Sequence, residues 1–144
     1  MLAVMIRSLV AFLIFVLLTA SAAAHDILMG AVTHVRNGDT IEVVGVPVRL
    51  NGVAAPELGE PHGREAKNFM LNLVAGKTVR CKLNGERSYD RVIGICYVGG
   101  QDIGASIIAA GLARDCHWFS KGRYNSFNTA ASLQLPLPSY CIRR

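Results

Sequence analysis

The stretch VRNGDTIEVVGVPVRLNG, residues 35–52, decides the fold. Asn37-Gly38 is the kind of dipeptide a two-residue hairpin turn demands, because both central residues of that turn take positive φ. Beyond it, Thr40-Ile41-Glu42-Val43 and Val46-Pro47-Val48-Arg49-Leu50 alternate between apolar and polar. Alternation of period two predicts half-buried strands, with Glu42 and Arg49 on the outward face. Residues 27–35 also read as a strand, so antiparallel strands are predicted over 27–35, 40–44 and 46–52. Pro47 lacks an amide hydrogen and marks an edge or a turn.

Downstream the period changes. Ala66, Phe69, Met70, Leu73 and Val74 recur at i, i+3, i+4, i+7 and i+8, which predicts an amphipathic helix over 63–75 closed by Gly76. Strands follow over 77–83 and 91–98, with a turn at Asn84-Gly85, and a short helix over 103–110 ends at Gly111. Residues 119–144 contain Gly122, Pro136 and Pro138, show no sustained period and read as an irregular tail. The expected fold is therefore α+β, mainly β: a five-stranded OB-fold barrel with a packed amphipathic helix and a second short helix. An α+β sandwich shares the same order of elements.

Upstream, residues 1–24 carry one charge, Arg7, followed by an apolar run over 8–20 and the small residues Ser21-Ala22-Ala23-Ala24. That order predicts a signal peptide cleaved near Ala24, and a secreted or periplasmic product with no stable membrane association. The run is shorter than the roughly 20 residues a membrane-spanning helix needs. The other 120 residues hold 14 Lys and Arg against 10 Asp and Glu, a modest basic excess that permits nucleic acid without requiring it. Their composition excludes a disordered chain, a coiled coil and a multi-span membrane protein. The domain reading is a signal peptide over 1–24, one barrel domain over 25–120 and the tail over 121–144.

Cys81, Cys96, Cys116 and Cys141 all lie in the exported part, where an even count points to disulfides. Of the three pairings, Cys81–Cys96 and Cys116–Cys141 is favoured, since Cys81 and Cys96 flank the second hairpin and Cys141 sits near the end of the tail. No zinc spacing is present.

Asp39, Arg49, Glu57 and Arg91 each fall at or just beyond a strand end. One carboxylate for a hard cation, another for water and two guanidinium forks for a phosphodiester would suffice for in-line hydrolysis. Taken singly, each has a plain explanation as turn chemistry or a solvated charge.

Together these residues resemble the staphylococcal nuclease (thermonuclease) family. The resemblance rests on Val35-Arg36-Asn37-Gly38-Asp39-Thr40, on Val48-Arg49-Leu50-Asn51-Gly52-Val53-Ala54-Ala55-Pro56-Glu57, on Gly63-Arg64-Glu65-Ala66, on Tyr89-Asp90-Arg91 and on Gly111-Leu112-Ala113, in that order. It implies an OB-fold barrel and calcium-assisted hydrolysis of DNA and RNA. By position, Asp39 matches a Ca2+ ligand, with the Ala55 backbone carbonyl beside it. Arg49 and Arg91 match the phosphate-binding arginines, Glu57 the carboxylate that positions or deprotonates water, and Tyr89 a residue lining the nucleotide site. His117, in the run His117-Trp118-Phe119, falls near aromatics that flank the bound base, and single strands are the expected substrate.

The resemblance breaks at Ala54, where the family carries a second calcium-binding aspartate. Calcium affinity depends on ligand charge, so this replacement opens a second expectation, an impaired barrel that binds nucleic acid or a protein without cleaving. Glu60 is the nearby acid in a position to substitute.

Overall fold

The computed structural model describes residues 26–142; the expected signal peptide lies outside them. The first hairpin turns one residue beyond the expected dipeptide: Asn37 still belongs to the first strand and pairs with Thr40, so the turn residues are Gly38-Asp39, and neither Asn37 nor Gly38 takes the positive φ expected of them. Strand β1 (Ile27–Asn37) pairs antiparallel with β2 (Thr40–Val43), which pairs in turn with β3 (Val46–Leu50) across a turn at Val44-Gly45. β1 crosses to β5 (Thr78–Ser88), and β5 pairs with β6 (Arg91–Val98). The barrel closes because β3 also pairs in parallel with β6, Val48 opposite Val92 and Leu50 opposite Gly94. Five strands thus form a closed OB-fold ring, with β7 (Gln101–Asp102) added at the edge of β6. Pro47 lies just before the closing register, where its missing donor interrupts nothing.

The turn of the second hairpin differs from expectation. β5 runs through Asn84-Gly85 and the chain reverses at Tyr89-Asp90. Asn84-Gly85 belongs instead to a bulge, because Leu83 faces Gly94 while Arg87 faces Val92. Gly85 takes φ +83° there, and the Asn84 side chain accepts the Glu86 amide. The same turn residues thus serve a bulge as well as a hairpin.

Helix α1 (Gly63–Val74) lies against β1 and buries Ala66, Met70 and Val74. These residues join Val35, Ile41, Val48 and Leu50 in one core, where truncating a residue such as Met70 to alanine costs about 2–5 kcal/mol. Helix α2 (Ile103–Ala109) starts at an Asp102 cap that accepts the Gly104 and Ala105 amides and contributes Ile103, Ile107 and Ile108 to that core.

Residues 119–144 lack a period yet are not irregular over the described part. Strand β8 (Arg114–Asp115) pairs with β4 (Val53–Ala54). There follow α3 (His117–Ser120), a 3-10 turn (Asn125–Phe127), α4 (Ala130–Gln134) with a Thr129/Ser132 capping box, and a 3-10 turn (Ser139–Ile142). Tyr124 is buried in the main core. Pieces of three to five residues are too short to show a helical repeat, which explains their silence in the sequence.

Both expected disulfides are present, and no described cysteine is free. Cys81–Cys96 joins directly opposed residues of β5 and β6. Cys116–Cys141 ties the last turn to the start of α3.

Candidate active site

The floor of the site is built by backbone register. Gly38 permits the turn to press on its neighbours, since a Cβ there would lie 2.8 Å from the Cβ atoms of both Ala55 and Ala66. The turn delivers Asp39, 3% exposed, beneath the end of the barrel. Its Oδ1 accepts the Thr40 hydroxyl (3.0 Å), and its Oδ2 accepts the Ala55 amide (3.1 Å) and pairs with Arg49 Nη2 (3.1 Å).

Alternation predicts Arg49 on the outer face of its strand, yet its side chain is only 14% exposed. The guanidinium donates through Nη1 to the carbonyls of Leu50 (2.9 Å) and Val53 (2.7 Å). These bonds, with Asp39, fix its plane and leave Nε and one Nη2 hydrogen for a ligand among the described residues. Arg91 donates to the Ser88 carbonyl and hydroxyl (3.2 and 2.9 Å) and, from Nη1, to the Thr40 hydroxyl at 3.4 Å. Thr40 therefore links the two arginines, accepting from Arg91 while donating to Asp39. Asp39 anchors one guanidinium directly and the other through a single hydroxyl.

Glu57 is held from two sides. Asn37 Nδ2 donates to its Oε2 (3.1 Å), while Asn37 Oδ1 accepts the Asp39 amide (3.1 Å). The backbone amide of Glu57 donates to Glu60 Oε2 (2.8 Å). Gly63 leaves room for the Glu57 carbonyl, which a Cβ would overlap. Asn37, which the sequence marks only as part of a turn signal, therefore couples the turn to the candidate base. Glu60, the acid read as a stand-in for Ala54, caps its own loop.

Arg49, Glu57, Tyr89 and Arg91 line one open cavity of about 820 Å³, joined by Arg87, Phe119 and Tyr140. Tyr89 stands 93% exposed at its mouth with the Arg91 guanidinium 5.8 Å from its ring centroid. His117 is not brought into the wall. Its side chain is 73% exposed and its Nδ1 lies 3.8 Å from Asp115 Oδ2. Trp118 packs with Lys121 outside the cavity lining. Of the aromatic run only Phe119 faces the cavity, and Tyr140 was not signalled by any sequence feature.

The donor set does not make a calcium site by itself. Among the described residues no group of three or more His, Cys, Asp or Glu side chains converges on a point, whereas calcium takes 6–8 oxygens. Asp39 is the one carboxylate of the floor, and Arg49 and two further donors already engage it. Ala54, where a second carboxylate is expected, is 3% exposed and packs in a small apolar cluster with Cys116, Cys141, Phe119 and Leu137.

Comparison with known proteins agrees with this geometry. Residues 47–133 match the family model described as staphylococcal nuclease homologue. The chain is 33% identical over 137 residues to the succinoglycan biosynthesis protein ExoI of Rhizobium meliloti (strain 1021), covering 87% of this chain and 71% of that protein. It is 35% identical over 105 residues to an uncharacterized endonuclease of Escherichia coli, covering 69% of this chain and 63% of the other. Against the staphylococcal-like nuclease CAN1 of Arabidopsis thaliana it is 33% identical over 66 residues, 46% of this chain and 20% of that one. A closed barrel with both arginines and Glu57 on one cavity, matched along most of its length, places the chain in the staphylococcal nuclease family, to which it belongs.

Proposed function

We propose that this protein is an exported nuclease that hydrolyses phosphodiester bonds in DNA or RNA, with little sequence specificity and a preference for single strands. The observation that carries the reading is the convergence of Arg49, Arg91 and Glu57 on one cavity, with both guanidinium groups tied to Asp39. The remaining N–H groups of the two arginines take non-bridging phosphate oxygens, whose charge grows as water adds to phosphorus. Glu57, steadied by Asn37, orients that water and accepts its proton as the P–O ester bond opposite breaks and the leaving oxygen takes up a proton from solvent. An open cavity with aromatic walls suits bases that are already unstacked. Two disulfides support export to an oxidising compartment.

A divalent cation would find Asp39 and the Ala55 carbonyl as its protein ligands, a donor set whose one charge Arg49 already offsets. Burial of Ala54 against the Cys116–Cys141 bridge favours a second reading, a barrel that binds nucleic acid without cutting it.

Cleavage of a labelled single-stranded oligonucleotide in calcium, in magnesium and in chelator separates these readings. The nuclease reading expects cutting that Glu57→Gln suppresses. Cutting that persists in chelator means that the chain's own groups suffice, while its loss in chelator means that a divalent cation is required, and Asp39→Asn then tests whether Asp39 holds it. Tight binding with no cleavage in any buffer would replace the nuclease by the binding module.

A further inference from the structure

The last turn of the described chain belongs to the cavity. Tyr140 lines it together with Phe119, their ring centroids 6.3 Å apart in an edge-on arrangement. Tyr140 is 43% exposed, so its ring is available, while the adjacent Cys141 is 4% exposed and bonded to Cys116. Beneath them lie Ala54, Phe119 and Leu137. The tail is held at a further point, where Arg114 donates to the Leu135 carbonyl (3.1 Å), and its last turn is closed by the Cys141 amide donating to the Pro138 carbonyl (2.9 Å). The exposed ring of Tyr89 lines the same cavity.

Aromatic rings lining the same cavity as a pair of guanidinium groups have a specific use. The arginines engage a phosphate, which every nucleotide has, and the rings engage the base attached to it. Tyr140 has two side-chain torsions to fix, so seating it costs little entropy, and the covalent bond next to it fixes its backbone. We propose that Tyr140 is a base-stacking residue of this cavity, held there by the Cys116–Cys141 disulfide, and that it discriminates strands with bases from strands without them. The proposal rests on the nuclease reading for the nature of the ligand.

The test measures binding of two labelled single strands of equal length, one with normal bases and one abasic throughout, by the oxidised protein carrying Glu57→Gln so that neither is cut. Tyr140→Ala is expected to weaken binding of the normal strand by about 5- to 150-fold, the effect of one lost stacking contact. It should leave the abasic strand unchanged, and Tyr140→Phe should restore affinity. Cys116→Ser with Cys141→Ser should weaken the normal strand comparably, add little to Tyr140→Ala, and keep the barrel folded by circular dichroism, because Cys81–Cys96 and the core remain. In the cleaving protein, Tyr140→Ala should raise KM and leave kcat unchanged.

Equal weakening of both strands by Tyr140→Ala would make Tyr140 structural, and no weakening of the normal strand would remove it from the site; either overturns the proposal alone. Full affinity in the Cys116→Ser/Cys141→Ser variant would overturn the disulfide's part. Failure of the unsubstituted Tyr140 protein to bind either strand would overturn the nuclease reading, and the proposal with it.

Discussion

The floor and the tail wall of the cavity are made by different means. The floor comes from a two-residue turn and the register of β2, β3 and β6, and its charged groups hold one another: Asp39 takes Arg49 directly and Arg91 through Thr40. The wall comes from short helical pieces held against the barrel by Cys116–Cys141 and a few apolar contacts. In the floor, chemistry and stability share the same atoms; in the wall they are separable. Substitution of Asp39 or its direct partner Arg49 should therefore disturb both properties, whereas substitutions further from that ion pair should disturb one.

The sharpest contrast lies between the two arginines. Removing either should lower kcat on single-stranded DNA by about 10²–10³-fold, the usual effect of deleting one donor to developing charge. Arg49→Ala should also destabilise the fold by about 3–5 kcal/mol, because it leaves the buried Asp39 carboxylate without its counter-ion. Arg91→Ala should shift the urea midpoint little, since its partners are a carbonyl and two hydroxyls. Equal stability losses in the two variants would break the picture of Asp39 as the anchor of Arg49.

Opening the tail bridge should act in the opposite sense. Cys116→Ser with Cys141→Ser releases a loop with a sequence separation of 25 and should cost about 3 kcal/mol in denaturant melts. Phosphodiester turnover at saturating substrate should persist. Loss of turnover in a folded sample would mean that the wall does more than receive bases.

Ala54 lies where floor and wall meet. Ala54→Asp should not raise cleavage in calcium, because the new carboxylate would enter the apolar cluster around the bridge rather than join Asp39. Burying that polar group should lower stability by about 1–3 kcal/mol. A large gain in calcium-dependent activity would show the cluster to be adaptable and the metal site merely one ligand short.

The smallest effect concerns Tyr124, at the junction of tail and core. Burial, reinforced by the nearby Asp102 carboxylate, pushes its hydroxyl well above the ordinary value of 10.0. Above that value the unfolded chain releases a proton that the folded chain keeps. Stability should therefore fall as pH rises past about 10. Tyr124→Phe should flatten this part of the alkaline decline in thermal melts, even though it gives up the hydrogen bonds to Asp102.

The same division governs what the sequence makes legible. The floor was readable because local chemistry writes it: Asn37-Gly38 marks the turn to within one residue, alternation sets the strands, and a 3.6-residue period sets α1. Even there, alternation alone put Arg49 outward, since period two does not foresee three acceptors gathered at a strand end. Asn84-Gly85 misled for a related reason, because a bulge and a hairpin demand the same residues. In the wall, Tyr140 sits beside Phe119 only through a bond to a cysteine far away in sequence, and no local rule reports that. His117 was placed by adjacency to Phe119, but residues of a single helical turn point in different directions.

Hydrolysis at the cavity floor, with Glu57 serving the water, can be measured in one comparison. Single-turnover cleavage of a labelled single-stranded oligonucleotide by the oxidised protein, compared with Glu57→Gln at matched saturation, tests it most directly. The unsubstituted protein should cleave, and the variant should do so at a rate at least about 10²-fold lower, with strand affinity preserved. Equal rates in the two proteins, or no cleavage by a folded sample in calcium, magnesium or chelator, would contradict it.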